Sequence, residues 1–137
     1  MSGYAREPMA SIATIMSRNV LTVAPDASLQ EAARKMSAER VGAVLVLEEG
    51  KLRGILTERD VLRAVAESRV EGSRAVDWMT RDPETIESSD STELAATLMI
   101  HGGFRHLPVV DQGSVRGIVS IRDLMRVVLD DTAPRGV

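Results

Sequence analysis

Cysteine is absent from the 137-residue chain, and aromatic residues are nearly absent. Without cysteine there are no disulfides, no thiol nucleophile and no Cys-ligated zinc or iron–sulfur site. Tyr4, Trp78 and Phe104 are the only aromatics, so a platform on which nucleic-acid bases stack is not expected. His101 and His106, the only histidines, make a poor metal set without cysteine. The composition therefore predicts no protein-built metal site.

Strong net charge and long apolar runs are also lacking. Acidic residues number 20 against 17 basic ones, for a net charge of -3, so no strongly basic surface for nucleic acid is expected. The longest apolar run is five residues, far short of the about 20 of a membrane-spanning helix. Residues 1–10 lack the apolar stretch of a signal peptide. We predict a folded, cytoplasmic protein without nucleic-acid or membrane partners.

An internal repeat accounts for most of the chain. A shift of 63 residues aligns residues 16–65 with 79–128 without a gap, and 16 of the 50 aligned positions are identical. Only about 3 identities would be expected by chance. We predict two copies of one unit, at 12–67 and 75–130, joined by a linker at 68–74 and flanked by an N-terminal arm at 1–11 and a C-terminal tail at 131–137.

Each copy is predicted to have the order β-α-β-β-α. A short extended piece, residues 21–23 or 84–86, follows a brief apolar turn. The next helix is expected to start at Asp26 or Ser28 in one copy and at Asp90 or Ser91 in the other, since Asp and Ser are preferred N-caps. A hairpin and a final helix complete each copy, at 43–47, 52–57 and 58–67 and at 107–110, 115–120 and 121–130. The predicted fold class is α/β of the α+β kind, with pseudo-two-fold symmetry and sheets packed against helices.

Two predicted helices are more apolar than one buried face requires. Residues 94–100 are apolar nearly all round, and residues 61–66 over more than half of their circumference. Such helices need a second surface to bury against. We expect part of that surface to be the other copy and the remainder to be a homodimer interface.

The segment that starts at a glycine in each copy has the residue types of a ribonucleotide site. A strand is expected to deliver Thr57 to the start of a helix, where free N–H groups favour an anion. The Thr57 hydroxyl can donate a hydrogen bond to a phosphate, and the Arg59 guanidinium can add charge-assisted hydrogen bonds. The Asp60 carboxylate can accept from two ribose hydroxyls. The second copy repeats the set with Ser120, Arg122 and Asp123. We therefore predict two pseudo-symmetric nucleotide sites in the cleft between the copies.

The same spacing is also that of an N-terminal capping box. Capping alone explains the pair Thr57 and Asp60, and a duplicated cap is still a cap. Under that interpretation the protein is a structural or interaction module that binds no ligand, and its motifs only cap helices. The arginine within each motif, and the preceding glycine that lets backbone approach closely, favour nucleotide binding. Arginines outside the motif, such as Arg34, Arg40 and Arg63, are expected on solvated helix faces.

These segments resemble a known family. Residues 54–60, GILTERD, and 117–123, GIVSIRD, both follow the pattern Gly, apolar, any residue, Thr or Ser, two of any type, Asp. Residues 105–111, RHLPVVD, are similar to that family's second strand. Over nearly its whole length the chain resembles a pair of cystathionine-β-synthase (CBS) domains, a unit often called a Bateman module.

The resemblance implies an adenosine-containing ligand, namely AMP, ADP, ATP or S-adenosylmethionine, with the motif aspartate on the ribose. Mg²⁺ could reach Asp60 and Asp123 through a bound nucleotide. The family's cleft is built crosswise, which would make Arg105 and His106 complete the Thr57 site. Their counterparts Gly42 and Ala43 carry no charge, so we expect the Ser120 site to hold phosphate less well. Adenine is expected against the short first strands, near backbone groups of Thr22, Val23, Thr85 and Ile86.

No catalytic arrangement is evident. The sequence indicates no Ser-His-Asp catalytic triad, no phosphate-binding loop of the GxxxxGK type, and no residue that its neighbours identify as a nucleophile. We expect no enzymatic activity, and a nucleotide hydrolase is the least favoured hypothesis. The favoured one is a stand-alone regulatory sensor whose ligand shifts the angle of the module or of its dimer and thereby signals to an effector protein in trans.

Overall fold

The computed structural model describes residues 10–132, with side chains to residue 129. The predicted arm at 1–11 and tail at 131–137 lie almost wholly outside these residues. In the first repeat the elements are α1 Ile12–Ile15, β1 Thr22–Val23, α2 Leu29–Glu39, β2 Ala43–Glu48, β3 Lys51–Thr57 and α3 Glu58–Ala66. In the second they are α4 Ala75–Trp78, β4 Thr80–Arg81, α5 Thr92–Gly102, β5 His106–Asp111, β6 Ser114–Ser120 and α6 Ile121–Thr132.

The predicted α+β fold, with sheets packed against helices, is confirmed. Two features differ from the predicted order. The brief apolar turns are short helices, α1 and α4. The extended piece expected at 84–86 is not a strand but a single parallel bridge from Ile86 to Val109. The second repeat has its short strand earlier, at β4.

Helices α2 and α5 begin and end at equivalent positions. The side chain of Ser28 accepts a hydrogen bond from the Glu31 amide at 3.0 Å, and that of Ser91 accepts one from the Leu94 amide at 3.1 Å. Serine, rather than Asp26 or Asp90, is therefore the N-cap in both repeats. Both helices end in the left-handed conformation, at Arg40 with φ 55° and at Gly103 with φ 71°.

The segment that leads into each repeat, residues 17–21 or 80–84, is here called its leading segment, and it crosses to the hairpin of the other repeat. Strand β4 pairs antiparallel with β3, at Gly54 and Ile55. The equivalent contact joins Ser17 to Ile118, whose amides donate to each other's carbonyls at 2.8 and 3.0 Å. The sheets are therefore β1-β2-β3-β4 and β5-β6, and each hairpin carries a segment from the opposite half.

The cores are exchanged in the same way. Ile12 of α1 is fully buried in the core of the second repeat, with Leu107 and Val119. Trp78 of α4 is buried in the core of the first repeat, with Leu56. A third cluster lies between the two hairpins and is formed by Ala43, Leu45 and Ile55 with partly buried Val115 and Ile118. The two repeats are thus interlocked by shared apolar packing.

Among the described residues, no helix is both long and apolar enough to cross a membrane.

Candidate functional site

Two cavities lie at the junction between the repeats. The larger, about 790 Å³, is here called the Ser120 cavity. Most of its wall residues fall within three segments, 17–21, 36–43 and 118–126. The smaller, about 490 Å³, is called the Thr57 cavity, with walls from residues 55–63, 80–84 and 102–106. Each cavity therefore joins the motif of one repeat to the leading segment and the end of the long helix of the other.

The motif residues line the two cavities. Thr57, Arg59 and Asp60 line the smaller cavity. Their counterparts line the larger one: Ser120, Arg122 and Asp123. Strands β3 and β6 end at Thr57 and Ser120, and α3 and α6 start at the next residue. Each motif thus brings a hydroxyl, a guanidinium, a carboxylate and a helix start to one cavity wall.

Arg105 and His106 are the exception to the predicted assignment. Both were expected to complete the Thr57 site, whereas they lie, together with Glu58, in the walls of both cavities. The reason is that the end of α5 and the start of β5 lie at the junction itself. The Ile121 amide donates to the Arg105 carbonyl at 2.8 Å, which ties this segment to the start of α6. Weaker phosphate binding in the Ser120 cavity was expected because Gly42 and Ala43 carry no charge, but Arg105 lines this cavity too, so that reason does not hold.

The four residues expected beside adenine do not line either cavity. Val23 and Ile86 are buried in the two repeat cores, at 7% and 3% exposure, and neither Thr22 nor Thr85 is among the wall residues. Sheet pairing explains this position, since the Val110 amide donates to the Ile86 carbonyl at 2.8 Å. The walls come instead from the preceding residues, 17–21 and 80–84.

Three wall arginines were missed from the sequence. Arg40 and Arg126 line the Ser120 cavity, and Arg63 lines the Thr57 cavity. Arg40 and Arg63 were expected on solvated helix faces, because helical spacing alone does not show which exposed side chains lie at a cavity mouth. One signal was available for Arg40: it occupies a helix end at which the other repeat has Gly103.

Both motif aspartates cap their helices. Asp60 Oδ2 accepts from the Thr57 amide at 2.8 Å and from its hydroxyl at 3.0 Å, and Asp123 Oδ2 accepts from the Ser120 amide at 2.8 Å. The capping geometry is therefore present. It occupies one oxygen of each carboxylate, while Oδ1 of Asp60 faces Arg63 at 3.3 Å. An ionised carboxylate has about four acceptor sites, so capping leaves acceptor capacity for a ribose hydroxyl.

The motif glycines allow the leading segment of the other repeat to pass close to each hairpin. A Cβ on Gly54 would lie 2.7 Å from the Thr80 carbonyl oxygen, and one on Gly117 would lie 2.6 Å from that of Ser17. The close backbone approach inferred from the sequence is thus the approach of the other repeat's leading segment. These glycines build the cavities by letting residues 17–21 and 80–84 cross the hairpins.

His106 lies at the boundary between the cavities. A Cβ on Gly42 would be 3.3 Å from the His106 ring and 3.4 Å from the Glu58 carboxylate, so the two side chains meet over that glycine. Burial lowers the pKa of His106; the carboxylates of Glu58 and Asp123 oppose this, and Arg105 adds to it. The neutral imidazole is therefore favoured, and arginine is the main source of positive charge in both walls.

The comparisons with known proteins agree with this architecture. The CBS domain family model matches residues 12–67 and 75–130. The CBS domain-containing protein YhcV of Bacillus subtilis is 38% identical over 117 residues, which cover 85% of this chain and 84% of that protein.

Two solved structures similar to this fold carry ligands. A CBS domain protein from Pyrobaculum aerophilum complexed with AMP has a TM-score of 0.82 and 28% identity, covering 90% of this chain and 98% of that one. The CBS domain pair of protein MJ0100, in complex with 5′-methylthioadenosine and S-adenosylmethionine, has a TM-score of 0.86 and 27% identity, covering 91% and 100%. The repeat, the interlocked α+β fold and these matches show that the chain belongs to the CBS domain family and forms a CBS pair, or Bateman module.

Proposed function

We propose that the protein is a regulatory sensor that binds an adenosine-containing ligand between its two CBS domains. The observation that carries this proposal is the arrangement of the two motifs, each of which faces a cavity at the junction of the repeats. Cavities of about 300–1,000 Å³ are typical of small-molecule sites, and the volumes here are about 490 and 790 Å³. AMP, 5′-methylthioadenosine and S-adenosylmethionine in similar CBS-pair structures support the class of ligand.

The roles of the motif residues follow from their positions. Phosphate is placed at the start of α3 or α6, where the backbone amides and the helix dipole favour an anion. Arg59 or Arg122 adds a charge-assisted hydrogen bond. The oxygen of Asp60 or Asp123 that does not cap the helix accepts from the ribose. Within residues 10–132 no three Asp, Glu or His side chains form a metal-binding group, so Mg²⁺ would enter with the phosphates of ADP or ATP.

The walls of the cavities suggest how the ligand signals. Each cavity has walls from both repeats, so a bound ligand bridges the two halves of the module. A ligand favours the conformation that it binds best, and this would fix one relative position of the repeats. We propose that an effector protein reads that position in trans. The module would act without catalysis, because the hydroxyls of Thr57 and Ser120 are engaged in hydrogen bonds at the helix starts. A cytoplasmic location and the lack of nucleic-acid and membrane partners stay predictions from the sequence.

Ligand binding can be tested by thermal unfolding with AMP, ADP, ATP, NAD and S-adenosylmethionine. A ligand at 100 times its Kd is expected to add about 2.7 kcal/mol to the free energy of unfolding. Asp60→Asn and Asp123→Asn should each lose part of this gain, because the amide is a poorer acceptor for ribose. Asp26→Asn is the matched control, since Asp26 is exposed and lines neither cavity.

If no ligand of this set raises the unfolding midpoint, the alternative function gains support. The protein would then be a ligand-free structural or interaction module, whose Thr57–Asp60 and Ser120–Asp123 pairs only cap helices. The hydrogen bonds of both caps are the observation that favours this second function.

We further propose that the protein is a homodimer through α3 and α6. Leu62, Val65 and Met125 are 67%, 56% and 49% exposed on these helices. Leu62 and Met125 are equivalent positions in the two repeats, so the apolar surface follows the pseudo-two-fold axis. A surface of that symmetry is suited to a second copy of the chain, because a two-fold dimer pairs like with like.

Light scattering should give a mass close to twice the monomer's 14.8 kDa. Leu62→Glu is expected to shift the protein to the monomer, since it places a charge in the apolar contact. Ala38→Glu makes the same charge change at an exposed position of α2 and should leave the mass unchanged. A wild-type mass near that of the monomer would refute the dimer.

A further inference from the structure

We propose that the two cavities select ligands of different charge. The Ser120 cavity would take the polyphosphate form of the nucleotide, as in ADP or ATP. The Thr57 cavity would take adenosine ligands with little or no negative charge. This inference rests on the proposed function, in that both cavities are taken to hold adenosine ligands, and it adds which chemical class enters each.

The motifs themselves do not distinguish the two cavities. Each supplies one hydroxyl, one arginine and one aspartate and begins a helix, and that helix adds a second arginine to the wall, Arg63 or Arg126. Arg105, His106 and Glu58 are shared between the walls. Any difference in charge must therefore come from the leading segments and from the ends of α2 and α5.

Those segments differ in charge at three pairs of equivalent wall positions. In each pair the first residue lines the Ser120 cavity and the second lines the Thr57 cavity: Asn19 and Asp82, Leu21 and Glu84, and Arg40 and Gly103. All three differences have the same sign. The Ser120 cavity is consequently three unit charges more positive than the Thr57 cavity, in addition to being the larger of the two.

The ion pairs do not cancel this difference. Asp60 pairs with Arg63 at 3.3 Å and Asp123 with Arg126 at 3.8 Å, so the motif carboxylates are partly neutralised in both cavities. Across the described side chains, residues 10–129, no ion pair is formed by Arg40 or by Asp82 and Glu84. The positive charge of one cavity and the negative charges of the other therefore remain available to act on a ligand.

The backbone of Arg40 allows its charge and its conformation to be tested separately. Arg40 ends α2 in the left-handed conformation, at φ 55° and ψ 43°. Glycine is the residue favoured there, and the second repeat has Gly103 at the equivalent position, φ 71°. The first repeat keeps a strained, charged residue at a site where glycine would relax the chain. Glu49, Ser68 and Gln112 are also left-handed and line neither cavity, so what singles out Arg40 is its place in the wall of the Ser120 cavity.

The test is isothermal titration of the full chain with ATP and with adenosine. ATP is expected to fill one tight site per chain. Arg40→Gly should weaken ATP binding by about tenfold or more, because a charge-assisted contact to phosphate is lost, and should leave adenosine binding unchanged. The same variant should raise the thermal unfolding midpoint of the ligand-free protein, since glycine relieves the backbone strain. Arg40→Gln separates the effect of charge from that of the backbone and should also weaken ATP binding.

Two further variants complete the design. Arg34→Gln removes an exposed charge from the same helix α2 but from neither cavity wall, and it should bind ATP as the wild type does. The double variant Asp82→Asn, Glu84→Gln removes the acidic residues from the Thr57 cavity. It should admit ATP there and raise the stoichiometry from one towards two ATP per chain.

The partition by charge is overturned if Arg40→Gly and Arg40→Gln weaken adenosine as much as ATP. It is also overturned if the wild type binds two ATP with equal affinity. These outcomes leave the proposed function intact, because an adenosine ligand still binds. If neither ATP nor adenosine binds, both the proposed function and this inference fail.

Discussion

Trp78→Ala is expected to lower the free energy of unfolding by about 3–5 kcal/mol, the usual cost of removing a buried aromatic side chain. The indole is 8% exposed and lies in the core of the first repeat, although the residue belongs to the second. Its N–H donates to the Ser73 hydroxyl at 3.0 Å. The guanidinium groups of Arg63 and Arg69 lie 5.6 and 5.3 Å from the ring centroid. The substitution removes all of these contacts together.

Chemical denaturation followed by circular dichroism is the suitable measurement, because Trp78 is the only tryptophan and its fluorescence disappears with it. Trp78→Phe is the control. It keeps an aromatic ring in the core but loses the hydrogen bond to Ser73, and the expected cost is about 1–2 kcal/mol. Hydrogen exchange in Trp78→Ala should quicken in α2 of the first repeat. A loss confined to the second repeat would contradict the exchange of cores.

Gly117→Ala is expected to cost about 3 kcal/mol, at or above the upper end of the usual range for overpacking. The added Cβ would lie 2.6 Å from the Ser17 carbonyl oxygen and 2.9 Å from the Met16 sulfur. The methionine can rotate away. The carbonyl cannot, because it accepts the Ile118 amide at 3.0 Å in the contact that joins the two repeats. The leading segment of the first repeat would therefore be pushed off the hairpin of the second.

Because that segment is also a cavity wall, the unfolding midpoint and ATP affinity of Gly117→Ala should fall together. Gly54→Ala should behave similarly, since its Cβ would lie 2.7 Å from the Thr80 carbonyl oxygen. Gly50→Asn is the control, at a hairpin turn with φ +77° and no atom within 4 Å of an added Cβ, where asparagine is tolerated. If Gly117→Ala unfolds within about 0.5 kcal/mol of the wild type, as an ordinary surface substitution does, the close crossing of the segments is wrong.

The elements that the sequence predicted well are those governed by local chemistry. Serine at position 28 and at 91 marks a helix start, because its side chain satisfies an amide three residues on. The hairpins follow from β-branched strands around turns in which Gly50 and Gly113 adopt positive φ. The position of the motif residues at the starts of α3 and α6 is also local, since each strand runs directly into its helix and the aspartate caps it.

The parts that were missed depend on contacts distant in sequence. The family resemblance placed adenine against the short extended pieces at 21–23 and 84–86, but Val23 and Ile86 are buried in the repeat cores, and Ile86 is paired with β5. The leading-segment residues that line the cavities instead are of mixed polarity: Ser17, Asn19, Val20 and Leu21 in one repeat, and Thr80, Asp82, Pro83 and Glu84 in the other. Nothing local distinguishes them from an ordinary loop.

The sequence by itself determined the duplication, the helix caps and the hairpin turns, because these depend on neighbouring residues, and the resemblance of its repeated motif to the CBS family indicated a CBS pair. Only the tertiary structure decided which groups meet across the repeats. The crossing of α1 and α4 into the opposite cores, which Gly54 and Gly117 permit, makes each cavity from both halves. That crossing sets Arg40 against one motif and Asp82 and Glu84 against the other. The charge of each cavity is therefore a property of packing between residues distant in the chain, which pattern and spacing do not encode.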